Sequence, residues 1–173
     1  MAKRFKLNET DRLEGQGVFF DANVLIYLFW PTGSHYWEEK YSRAFATLLR
    51  KSNPLFVDFL TVSEVINRVL RVEHQKLKPE QKFKEFRDSP TGKEALEDIH
   101  LLLKTDILNR FEIIGKSFSK SEILDYLIVN DLDFADKAIV HLCQEHNLIL
   151  VTNDKDFKNS EIDILTGNPS ILN

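Results

Sequence analysis

Solid apolar runs, rather than alternating ones, punctuate this chain. Val18-Phe19-Phe20 stops at Asp21, and Leu55 to Phe59 follows the break Lys51-Ser52-Asn53-Pro54. Phe111 to Ile114, Leu148 to Val151 and Ile162 to Leu165 are further runs of the same kind. Such runs suit strands buried on both faces. Between them the apolar positions recur at three and four. Asn23 to Phe29 predicts a short helix that ends before Pro31, and Trp37 to Arg50 a longer one with Tyr41, Phe45, Leu48 and Leu49 on one face. Thr61 to Val72 repeats Val62, Val65, Ile66, Val69 and Leu70, while Phe134 to His146 repeats Ala135, Ala138, Ile139 and Leu142. Ser121 to Val129 is a further helix. Pro79 and the Ser89-Pro90-Thr91-Gly92 break delimit two more, roughly 79–88 and 93–109, in the charged middle of the chain. Strands separated by helices imply an α/β fold: a parallel sheet covered by helices on both faces.

Composition narrows this picture. The chain has 173 residues, enough for one domain of ordinary size. Residues 1–16 read as a polar lead-in, and residues 17–173 as a single domain. Hydrophobic residues at 43% and charged residues at 29% are a globular composition. The single cysteine, Cys143, excludes an intrachain disulfide and a cysteine-rich zinc site, and it reads as a small core residue. The longest apolar run, Val24 to Trp30, is too short to span a bilayer. The stretch Met1 to Leu13 lacks the apolar core of a signal peptide. A cytoplasmic protein with no membrane partner is the expectation. A net charge of −4 argues against a non-specific DNA-coating protein. It does not exclude a nuclease, whose cation-holding carboxylates are themselves acidic.

The acids fall at strand and helix ends. Asp21 follows the first buried strand at once, and Asp154 ends the loop after the fourth. Functional groups in open parallel sheets collect at the carboxyl ends of strands, where strand order reverses. Glu64 lies in the first turn of the helix after the second strand, and Asp136 in the first turn of the helix before the fourth. All four acids can reach one sheet edge. Gathered there they would repel, with burial and like charge raising their pKa values. A hard divalent cation with oxygen ligands, Mg²⁺ or Mn²⁺, resolves that repulsion. The five histidines (35, 74, 100, 141 and 146) show no paired metal-ligand spacing.

Taken together, these segments resemble the PIN-domain ribonucleases, most closely the VapC-type toxins of bacterial toxin–antitoxin pairs. The resemblance rests on Phe19-Phe20-Asp21-Ala22-Asn23-Val24-Leu25-Ile26-Tyr27, then Thr61-Val62-Ser63-Glu64-Val65, then Leu132-Asp133-Phe134-Ala135-Asp136-Lys137-Ala138-Ile139, then Leu150-Val151-Thr152-Asn153-Asp154-Lys155-Asp156-Phe157. It covers roughly residues 17–166. It implies a three-layer α/β/α sandwich around a central parallel sheet, with the first and fourth strands side by side. Extra helices around residues 75–110 match no motif and add to the chain's length. By the same resemblance Asp21, Glu64, Asp136 and Asp154 form the acidic catalytic set. Asp21, Asp136 and Asp154 are the metal ligands, Glu64 orients a water, and Thr152 and Asp156 are additional candidates. Ala22 stands where many relatives carry Thr or Ser.

The activity so implied is Mg²⁺- or Mn²⁺-dependent hydrolysis of RNA, giving 5′-phosphate and 3′-hydroxyl ends. An antitoxin that presents a basic side chain to the acidic cleft, and a homodimer, are the implied partners. Arg68 and Arg71 head a basic stripe that continues through Lys76, Lys78, Lys82, Lys84 and Arg87 and could track RNA phosphates. The competing reading is a solvated face balanced by Glu80, Glu85 and Asp88. Each acid also has a structural competitor. Asp21 and Asp133 can cap helices, Thr61-Val62-Ser63-Glu64 is a capping-box pattern, and Asp154 or Asp156 can shape a turn. Two other function classes stay open: a non-catalytic RNA- or protein-binding module, and a phosphotransfer enzyme with an acidic Mg²⁺ pocket.

Overall fold

Strand polarity decides where chemistry can gather in this protein. The computed structural model describes residues 2–173. Strands β1 (Arg4–Lys6), β2 (Val18–Phe20), β3 (Leu55–Asp58), β4 (Glu112–Ile114), β5 (Ile149–Val151) and β6 (Ile164–Thr166) form one sheet in the order β1-β6-β5-β2-β3-β4. Every pairing is parallel, so all the carboxyl ends share one edge. β2 lies beside β5, the adjacency the switch-point argument asks for.

The solid apolar runs are explained by helices on both sides. Val18 and Phe20 turn to one face and Phe19 to the other, all three buried. The larger face is covered by α1 (Ala22–Phe29), α2 (His35–Arg50), α3 (Phe59–Leu77), α4 (Phe83–Asp88) and α5 (Pro90–Leu102). A π-helical turn (Leu103–Ile107) and α6 (Leu108–Arg110) lead from α5 into β4. After β4 come α7 (Lys120–Tyr126) and α8 (Phe134–Glu145), and the chain ends in α9 (Pro169–Leu172). On the second face α8 and α9 supply Ile139, Cys143 and Ile171 to a smaller core with Leu150, Phe157 and Ile164. The result is the three-layer α/β/α sandwich.

Two segments differ from the sequence pattern. The polar lead-in, residues 1–16, carries β1 and a 3-10 helix, Leu7–Leu13, whose Leu13 is fully buried. The Arg4 guanidinium donates to the carbonyls of Ile162 (2.6 Å), Ser160 (2.6 Å) and Lys158 (3.0 Å), which ties β1 to the turn before β6. An edge strand has one open side, so Arg4-Phe5-Lys6 is only half-buried and reads as polar.

The extra helices of the charged middle fold back onto α3. Helix α4 begins later than the pattern suggests, because buried His74 of α3 donates from Nε2 to the Gln81 carbonyl at 2.7 Å and holds 78–82 as a turn. His74 also packs against Phe83 and Phe86. Full burial of Phe86 contributes roughly 1.5–3 kcal/mol. Gly92 permits the close passage of α5 over α4, since a Cβ there would meet the Phe86 carbonyl oxygen at 2.0 Å.

Candidate functional site

The ends of β2 and β5 place Asp21 and the Thr152–Asp154 loop side by side. The Asp21 amide donates to the Val151 carbonyl at 3.1 Å, which fixes its backbone to β5. Asp21 occupies the N-cap position of α1, but its carboxylate makes no cap hydrogen bond. Instead Oδ2 accepts from Thr152 Oγ1 at 2.6 Å and from Asn23 Nδ2 at 2.7 Å. Thr152 Oγ1 in turn accepts from the Asp154 amide at 3.0 Å, and Asn23 Oδ1 from the Asn153 amide at 3.2 Å. One hydroxyl and one amide thus couple the two strand ends. Asp21 is 5% exposed, and its pKa is pushed up to about 6. Burial is the main cause. The Thr152 hydrogen bond works against it, and the charges of Glu64 and Asp154 add to it.

Asp136 approaches from the second face, in the first turn of α8. Its amide is capped by the Asp133 carboxylate at 2.8 Å, the capping role read for Asp133. Its own carboxylate is half-buried and pushed up to about 7, by burial first and then by Asp133, Asp21 and Asp154. Glu64 sits on α3 and accepts from Arg68 Nη1 at 3.0 Å, one helical turn on.

The capping-box reading of Glu64 is corrected here. Helix α3 starts at Phe59, and the Thr61 amide is held by Asp58 Oδ1 at 2.7 Å, which releases Glu64 from any capping duty. Asp154 has a local task as well: its Oδ1 accepts from the Asp156 amide at 3.1 Å and starts the 3-10 helix Lys155–Asn159. Asp156 itself is exposed on that helix.

Three residues in this network were given no role by the sequence. Asn23 is an apparently ordinary amide in an apolar helix, yet it is buried and touches both strand ends. Tyr41 of α2 is buried, its hydroxyl 3.0 Å from both the Thr152 carbonyl and Asn153 Oδ1, and it accepts from the Gly167 amide at 3.1 Å. Burial pushes its phenol up to about 12. Asp58 is the third. Asn23 lies in the first motif segment without a role of its own there, and the β5-loop partners of Asn23 and Tyr41 lie more than a hundred positions away. Cys143 is buried and its thiol pushed up, consistent with a core side chain.

The donor chemistry fits a hard divalent cation. Asp21, Asp136 and Asp154 offer carboxylate oxygens from separate elements, and burial first, with the neighbouring acids' charge adding to it, raises the pKa of the first two. Among the described residues no three acidic, histidine or cysteine side chains close around one point, so ligation requires these carboxylates to draw together. Glu64 borders the centre on the α3 side. Beyond it a cleft of about 340 Å³ is lined by Asn23, Tyr27, Thr32, Arg68 and Arg71. Arg68 is paired with Glu64, and the Arg71 guanidinium lies 4.3 Å from the centroid of the Phe83 ring. Farther along the stripe Lys76 pairs with Glu73 and Arg87 with Asp88. No helix among the described residues is long and apolar enough to cross a membrane.

A family model for the PIN domain matches residues 18–162. No curated protein matches the chain. Among solved structures it is similar to FitAcB from Neisseria gonorrhoeae, at 16% identity and a TM-score of 0.53, covering 86% of this chain and 96% of that one. It is also similar to PAE2754 from Pyrobaculum aerophilum, at 15% identity and a TM-score of 0.50, covering 88% and 85%. VapBC2 from Rickettsia felis, bound to a DNA fragment from their promoter, aligns at 17% identity and a TM-score of 0.45 over 87% and 98%. The match to residues 18–162 takes in the strand-end acids Asp21 and Asp154 and the helix-borne Glu64 and Asp136, and the chain belongs to the PIN-domain family, whose members are generally nucleases.

Proposed function

We propose that the chain is a divalent-metal-dependent endoribonuclease whose acidic centre is built from Asp21, Glu64, Asp136 and Asp154. The observation that carries this reading is the joining of the β2 and β5 ends at the shared carboxyl edge of the parallel sheet, where Thr152 donates to the Asp21 carboxylate and accepts from the Asp154 amide. Carboxylates held in mutual repulsion at a partly buried edge are an arrangement that favours cation binding. Asp21, Asp136 and Asp154 would hold Mg²⁺ or Mn²⁺. When bound, that cation supplies charge neutralisation at the phosphodiester and a more acidic water.

The chain's own residues do the remainder. Thr152 and Asn23 fix the Asp21 carboxylate by hydrogen bonds at 2.6 and 2.7 Å, so that its second oxygen is left to the site. Glu64, half-exposed, orients the attacking water. Arg68 and Arg71 border the cleft beside it and contact RNA phosphates, Arg68 by exchanging Glu64 for substrate. The resemblance to VapC-type toxins extends the reading to a toxin of a toxin–antitoxin pair. Its antitoxin would insert a basic side chain among the acids.

The test is cleavage of structured and unstructured RNA with MnCl₂, comparing wild type with Asp21→Asn. Loss of at least about a hundredfold in rate, with the fold intact by circular dichroism, is expected. Cleavage that persists in the variant overturns the metal centre. Absence of cleavage in the wild type, with RNA still bound, selects the non-catalytic module.

A further inference from the structure

The second flank of the acidic centre is basic, and it is built by segments far apart in sequence. A cleft of about 540 Å³ opens at the carboxyl ends of β1 and β6, between the 3-10 helix Leu7–Leu13 and α2. Lys6, Lys40 and Arg43 line it, with the hydroxyl-bearing Thr10 and Thr166 and the Gly167 backbone. Lys40 and Arg43 share one face of α2, three residues apart. The one acid at its rim, Asp11, lies 3.5 Å from Lys51. Arg43 is paired with Glu39 of its own helix in an exposed contact of the kind readily exchanged.

This cleft adjoins the acids through one side chain. Tyr41, next to Lys40, contacts Gly167 at the cleft floor and Thr152 and Asn153 beside Asp154. All strands being parallel, Lys6 and Thr166 end on the same edge as Asp21 and Asp154. β6 lies two strands from β2, which is roughly 10 Å. Most of the cleft's walls (Lys6, Thr10, Thr166, Gly167) lie outside residues 18–162. The feature therefore joins α2, inside the matched span, to segments outside it.

We infer that this cleft binds a phosphate of the RNA strand adjacent to the one at the acidic centre, with Lys6, Lys40 and Arg43 as the anion contacts. The inference rests on the nuclease reading and adds to it a path for the strand. A polyanion whose reacting phosphate lies among carboxylates needs cations on both flanks, and Arg68 and Arg71 border only one of them. The basic cleft supplies them on the opposite flank. Its sign also opposes a basic antitoxin segment, which is drawn to the acids instead.

The experiment measures binding of a fluorescein-labelled, mixed-sequence single-stranded RNA 20-mer by anisotropy in MgCl₂ over a salt series. All proteins carry Asp21→Asn so that the probe stays intact, and wild type is assayed for cleavage in parallel. Lys40→Gln/Arg43→Gln is compared with its parent and with the charge-matched Lys93→Gln/Lys104→Gln, which lies on the distant α5 and π-turn surface. The expected result is a roughly tenfold weaker Kd for the first pair and a slope of log Kd against log salt shallower by about 1.4. The distant pair stays close to the parent. Equal losses in both pairs, or no loss in the first while wild type cleaves RNA, overturn the cleft and leave the nuclease reading standing. A parent that binds no RNA and a wild type that cleaves none overturn both together.

Discussion

Asp21 and Glu64 face the same space from different kinds of support. Asp21 ends a buried strand, is almost fully buried, and is held by a hydroxyl and an amide. Glu64 rides on a helix, is half-exposed, and has one ion pair to a neighbour on the same helix. Asp154 also follows a buried strand, its backbone held by Thr152, while Asp136 lies on a helix but half-buried. The difference separates two tasks. Strand ends, tied across β2 and β5, set the position of charge. Helix-borne acids can shift with substrate, because exposed pairs of this type contribute only about 0.2–1 kcal/mol.

The sharpest way to break the comparison is to loosen the strand half without touching an acid. Asn23→Ala removes one hydrogen bond from Asp21 and leaves the Asn153 amide without its partner. Metal-dependent RNA cleavage should fall roughly 10- to 100-fold, and the melting temperature should drop as well. A variant with wild-type rate would show that Asp21 needs no such fixing. The helix half should respond less. Glu64→Gln keeps the shape and removes the charge, and we expect about a tenfold loss in kcat with the melting temperature nearly unchanged. A loss equal to that of Asp21→Asn would place Glu64 among the fixed ligands.

The smallest effect is in stability against pH. Asp21 and Asp136 have folded-state pKa values raised to about 6 and about 7, above those of the unfolded chain. Between the unfolded values and these, the folded protein holds more protons, so metal-free stability declines as pH rises from about 4 to about 7. Mn²⁺ should therefore raise the melting temperature more at pH 8 than at pH 5, because at pH 5 protons already neutralise the repulsion. Asp136→Asn should flatten the metal-free decline. Melting curves that ignore pH in both proteins would remove the coupling between the acids.

The same contrast governs what could be read from sequence. β2 and β5 were legible because a buried strand leaves a solid apolar run, and Asp21 and Asp154 because an acid stops or soon follows it. The helix half was less clear. Thr61 and Glu64 imitate a capping box, while the actual cap, Asp58, sits inside what reads as the end of a strand. β1 escaped notice because an edge strand keeps a polar side, and Arg-Phe-Lys carries no period. Asn23 and Tyr41 link the two strand ends through partners 130 and 111 positions away. Local pattern cannot encode such contacts. The basic cleft is invisible for the same reason, since Lys6 and Lys40 are neighbours only after folding.

The pairing of Arg4 with Ile164 has a consequence for how the molecule comes into being. Every acid of the centre has been synthesised by residue 154, but β1 gains its only partner strand once β6 has left the ribosome. Contacts of such long range form slowly and late. The nascent chain thus contains every acid of the centre before the strand that seats β1, and the basic cleft cannot close until residues 164–167 have been made.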